Sequence, residues 1–88
     1  MGEHTSTLSA AEVNQFLGAR LRELRRKARM SQAFLAGDMT DRGYRWYGTT
    51  VHRIETGRQA ATFEEVRVLA EIFAVPLDSF SPPEEAAS

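Results

Sequence analysis

Apolar residues along the chain recur mostly at three- and four-residue spacing, and no stretch sustains the period-two alternation of a half-buried strand. Val13, Phe16, Leu17, Leu21, Leu24 and Ala28 form one such stripe, which predicts a first helix running to about Arg29 with its arginines on the other faces. Ser9 followed by Glu12 has the spacing of a capping box and sets the start of that helix. Ser31 opens a second, shorter helix, "QAFLAGDM", whose inward residues are Leu35, Ala36 and Met39. Thr49 or Thr50 is read as the cap of a third helix with Val51 and Ile54 inward, and Gly57 is suited to end it in a left-handed conformation. Thr62 and Glu65 repeat the capping box for a fourth helix carrying Phe63, Val66, Leu69, Ala70 and Phe73. A fifth short helical turn is expected from Pro76, with Leu77 and Phe80 packed on the core. The expected fold is therefore all-α, a compact bundle of five helices over residues 9–80, between a flexible N-terminus (1–8) and a disordered acidic tail (81–88).

A chain of 88 residues supports one domain with one modest core. Its composition is ordinary for a globular protein, with no apolar run of membrane-spanning length and no signal-peptide pattern at the N-terminus, so a cytoplasmic location is expected. The chain has no cysteine and its two histidines, His4 and His52, stand far apart, so no disulfide, thiolate nucleophile, metal site or cofactor is expected. Charge changes the picture more. From Arg20 to Arg58 ten basic residues face four acids, a net of +6, while the remainder carries −7, for a total of −1. Local field rather than net charge attracts phosphate, so this segregation suits a polyanion-binding face with an acidic back.

Two short helices after a long one and before a fourth suggest a helix-turn-helix, in which the third helix lies in a DNA major groove. With Val51 and Ile54 inward, Thr49, Thr50 and Arg53 are expected to point outward together, with His52 on their flank. These four are the candidate base contacts. Arg53 has the fork geometry for guanine, and the threonines offer a hydroxyl and a methyl. Gln32 stands in the first turn of helix two, where free amides favour a phosphate, and Arg58 follows the recognition helix as a further phosphate ligand. Arg22, Arg26 and Arg29 are open to phosphate or solvent, and Arg22 is read as solvated.

The segments "LGARLRELRRKARMSQAFLA", "TTVHRIETGRQ" and "FEEVRVLAEIFAVPLDSF" closely resemble the lambda repressor/Cro-like helix-turn-helix family, the xenobiotic-response-element type of transcriptional regulator, over about Leu17 to Phe80. The resemblance implies that the Ser31 and Gln32 pair grips DNA backbone, and that Glu55 pairs with Arg25 as a partly buried structural ion pair. The chain departs from the usual pattern in its turn. The connection from Thr40 to Gly48 is about nine residues, where three or four are usual, an insertion of about five around "DRGYRWYG". A similar Gly-x-x-Trp segment marks a subfamily of the regulators that this chain resembles. Trp46 or Tyr44 is expected to cover Phe34 in a small satellite core, and Arg42, Arg45 and Tyr47 to project from the anchored turn toward phosphates.

These readings converge on a sequence-specific regulator of transcription that binds double-stranded DNA, a repressor acting as a weak homodimer through the outer face of helix four and the Leu77 to Phe80 turn. The competing reading is an antitoxin or anti-repressor subunit whose main role is to bind a protein partner. No nucleophile–base pair, paired acid site, phosphate loop or metal cluster is present to suggest an enzyme.

Overall fold

The computed structural model describes residues 8 to 83. The expectations of a loose N-terminus and an acidic tail fall outside them at residues 1–7 and 84–88. Three of the four α-helices start at a side-chain cap. Helix α1, Ala10–Lys27, begins where the Ser9 hydroxyl accepts the Glu12 amide at 3.1 Å and the Glu12 carboxylate accepts the Ser9 amide at 2.8 Å. Helix α2, Gln32–Asp41, follows Ser31, whose hydroxyl accepts the Phe34 amide at 2.9 Å. Helix α4, Phe63–Phe73, repeats the reciprocal box between Thr62 and Glu65. Each pair satisfies amides that have no partner inside the helix.

Helix α3, Gly48–Glu55, starts differently from expectation. Its cap is Tyr47, which supplies no side-chain bond; Thr50 instead reaches back so that its hydroxyl accepts the Tyr47 amide at 3.0 Å. Neither threonine is the cap, because the helix begins at Gly48 and Thr50 occupies its third position. At the far end Gly57 takes a positive φ of 77°, which a glycine adopts without the Cβ clash.

The fifth helix is not an α-helix. Leu77–Phe80 is a four-residue 3-10 turn after Pro76. Ser81 precedes Pro82 and is held extended at φ −101° and ψ 143°, as the following proline ring demands, so there is no room to grow a regular helix.

Leu21, Leu35, Met39, Val51, Ile54 and Leu69 are fully enclosed, and Trp46, Val66, Val68 and Phe80 complete the core with Ala36 and Ala70. Helix α3 packs against α1 and α2, while the 3-10 turn packs against α1 and α4. Arg20 ties the last contact down by donating to the Ser79 carbonyl at 3.0 Å. Phe63, expected on the apolar side of α4, is 68% exposed; as the first residue of the helix it lies beyond the edge of the core, with its side chain directed back along the axis. Among the described residues there is no strand, and no helix is long and apolar enough to cross a membrane.

Candidate nucleic-acid interface

Val51 and Ile54 are fully buried, which turns Thr49, His52, Arg53 and Thr56 to solvent along the opposite side of α3. This corrects one of the four base-contact candidates. Thr50 is buried, with its hydroxyl oxygen used by the Tyr47 amide, so it belongs to the inner side of the helix. Thr56 takes its place on the outer face, a residue that the three-residue step from Arg53 could have pointed out. Its hydroxyl donates to the His52 carbonyl at 2.9 Å.

Two contacts hold the end of α3 against α1. Gly18 lies so close that a Cβ placed there would stand 2.8 Å from the Glu55 carbonyl oxygen and closer still to that of Ile54. Beside it, Arg25 grips Glu55 in a two-pronged pair, Nε to Oε2 at 2.6 Å and Nη2 to Oε1 at 3.0 Å. The third nitrogen of Arg25 donates to the Met30 carbonyl at 2.7 Å, which ties the pair to the α1–α2 turn. The hydrogen bond to Glu55 raises the Arg25 pKa above its usual value, against a smaller opposing effect of burial. Only 2% of the Glu55 side chain is exposed. Removing one member of such a pair strands a buried charge, at about 3–5 kcal/mol.

Gln32 joins this network. Its amide nitrogen donates to Glu55 Oε1 at 3.1 Å, so the side chain is turned toward α3, and the sequence-based role of a free phosphate ligand fits it less well than it fits Ser31. Ser31 is exposed at the head of α2 beside the first-turn amides.

The turn between α2 and α3 spans residues 42–47, six rather than nine, because α2 continues to Asp41 and α3 begins at Gly48. Its tryptophan does not cover Phe34. Trp46 is buried in the main core, its indole N–H donates to Glu65 Oε2 at 2.9 Å, and its carbonyl accepts the Thr40 hydroxyl at 3.1 Å. Glu65 therefore caps α4 with one oxygen and holds the turn with the other. Tyr44 adds a longer bond from its hydroxyl to Glu64, 3.3 Å. Phe34 remains 62% exposed. Arg42 is not free for phosphate either, since it pairs with Asp38 at 3.2 Å and approaches Glu71 of α4 at 3.9 Å. Arg45 is exposed without a side-chain partner among the described residues, and Tyr47 is 63% exposed just ahead of α3.

The basic side chains thus fall into two sets. Arg20, Arg25, Arg42 and Arg67 are engaged by Glu23, Glu55, Asp38 and Glu71. Arg22, Arg26, Lys27, Arg29, Arg45, Arg53 and Arg58 have no acidic partner among the described residues. The second set lies on α3, on its flanking turns, on the C-terminal half of α1 and, at Arg29, in the turn that follows α1.

Four helices with α2 and α3 packed across a short turn define a helix-turn-helix. Residues 17–80 match the model of the helix-turn-helix domain family, and the chain belongs to that family. No curated protein matches it. Among solved structures it is similar to the DNA-binding domain of BldD from S. venezulae, at 28% identity and a TM-score of 0.67 over 81% of this chain and 99% of that one. A crystal structure of the BldD DNA-binding domain aligns with a TM-score of 0.69, also at 28% identity, over 85% of this chain and all of the other.

Proposed function

We propose that the chain is a sequence-specific regulator of transcription that binds double-stranded DNA through the outer face of α3. The observation that carries this reading is the pairing of an unencumbered Thr49, His52 and Arg53 face with a surround of unpartnered cations, on a domain similar to one that binds DNA. Arg53 reads a base edge, with Thr49 and His52 beside it, while Ser31, Arg45, Tyr47 and Arg58 set the register on the backbone. The regulator acts as a repressor by occupying its site, and as a dimer on paired half-sites. Its Trp-containing turn supports membership of the subfamily of such regulators with a similar Gly-x-x-Trp segment.

Selection of duplexes from a randomised pool is the direct test. The expected outcome is a paired motif bound with a Kd on the order of 10 nM. Arg53→Ala then weakens that site by about 1–3 kcal/mol and relaxes the preference at one position. The second reading, a module that mainly binds protein, has the exposed Phe34 and Phe63 in its favour. It predicts a flat selection and a partner interaction that Arg53→Ala leaves intact.

A further inference from the structure

Resting on the DNA-binding reading, we infer that Arg22 and Arg26 of α1 form a second backbone-binding edge that grips the DNA strand running beside α3. The two arginines are one helical turn apart on α1, on the same side, and both are exposed. They line an open groove with Ala19, Glu23 and Glu55. The groove contains two acids, yet neither neutralises them. Glu23 is taken by Arg20 at 2.9 Å. Glu55 is taken by Arg25 and Gln32 and is almost fully enclosed. The groove therefore keeps two uncompensated positive charges, which its own acids would otherwise have cancelled.

Its position fits the same partner. Glu55 is the last residue of α3, three positions after His52, so one wall of the groove is the C-terminal end of the recognition helix. The backbone contact at Gly18 brings α1 against the end of α3 with almost no intervening side chain. A strand that follows α3 must then pass α1, and the small Ala19 leaves room there. The chemistry recognised is a run of phosphodiesters, contacted through charge and not through bases.

The salt dependence of binding tests the inference. Each phosphate neutralised on duplex DNA contributes about 0.9 to the slope of log K against log salt. Binding of the full chain to its selected duplex and to an unrelated duplex would be followed from about 50 to 200 mM salt. The double variant Arg22→Ala, Arg26→Ala is expected to make the slope shallower by about 1.8 on both duplexes, with the selected motif unchanged. Arg22→Lys, Arg26→Lys restores the slope, and Arg67→Ala, on α4 and paired with Glu71, leaves it as it was. An unaltered slope in a double alanine variant with a native circular dichroism spectrum overturns the inference while the DNA-binding reading stands. Absence of salt-dependent binding by the unmodified chain overturns both.

Discussion

Replacing Gly18 by alanine adds one carbon at the tightest point of the fold. The new Cβ would stand 2.8 Å from the Glu55 carbonyl oxygen and 2.9 Å from its carbon, and closer to the Ile54 oxygen. All three are backbone atoms of α3, so no rotamer change relieves the clash and α1 must move away from α3. Overpacking of a filled interior costs about 1–3 kcal/mol, and a clash with backbone belongs at the upper end. The substitution also recovers about 0.5–1 kcal/mol, because alanine loses less conformational freedom than glycine in a helix. The net is a loss of about 2 kcal/mol, which for a domain of this size lowers Tm by roughly 8–16 °C. Thermal unfolding followed by circular dichroism measures it. Gly37 supplies the matched control, since a Cβ there meets nothing within 4 Å; Gly37→Ala should raise stability by about 0.5–1 kcal/mol through the same entropy term. If Gly18→Ala melts at or above the native temperature, the close α1–α3 approach is not a constraint and the reasoning fails.

Two further substitutions probe the turn and a helix end. Trp46→Phe keeps an aromatic ring in the core but removes the donor to Glu65, leaving a half-buried carboxylate oxygen short of a partner; urea unfolding should show a loss of about 1–2 kcal/mol. Ala74 ends α4 in the left-handed region at φ 56° while exposed to solvent, so Ala74→Gly removes strain without removing packing. It should raise stability by about 0.5–1 kcal/mol, the balance of relieved strain against glycine's chain entropy, and an unchanged Tm would refute that account.

What was legible in the sequence was what local chemistry decides. Ser9 with Glu12, Ser31, and Thr62 with Glu65 mark their helix starts because a cap needs only residues three apart. The start of α3 was misread for a related reason: Thr49 and Thr50 look like caps, yet the helix opens on Tyr47, which has no cap oxygen to offer. The consequence reached the site, since with Tyr47 as the cap, two or three residues earlier, Thr50 falls at the third helical position and is buried. The turn was illegible because a non-periodic segment has no face to read. Trp46 is buried in the core with its indole bonded to a residue nineteen positions away, and Arg42, paired with Asp38, also approaches Glu71 of α4. Gly18 gave only the signal of a weak helix position; its necessity arises from α3, thirty-six residues on.

Helix α3 has eight residues, too few to hold a helix in water by itself. Its shape and direction must come from its supports, and these are unlike one another: a bare backbone contact at Gly18, a buried ion pair at Arg25 and Glu55, and an indole anchored to Glu65 just before its first turn. All three act on the inner side or at the ends. None uses Thr49, His52 or Arg53, so the outward side chains carry no structural duty and can be altered without loss of fold. The reverse also follows. A buried change that leaves the domain folded still shifts the reading face as a rigid unit, because all its side chains ride on one short helix. On the proposed DNA-binding reading, such a change weakens contacts to bases and to phosphates together, whereas an outward substitution on α3 affects only the contact it removes.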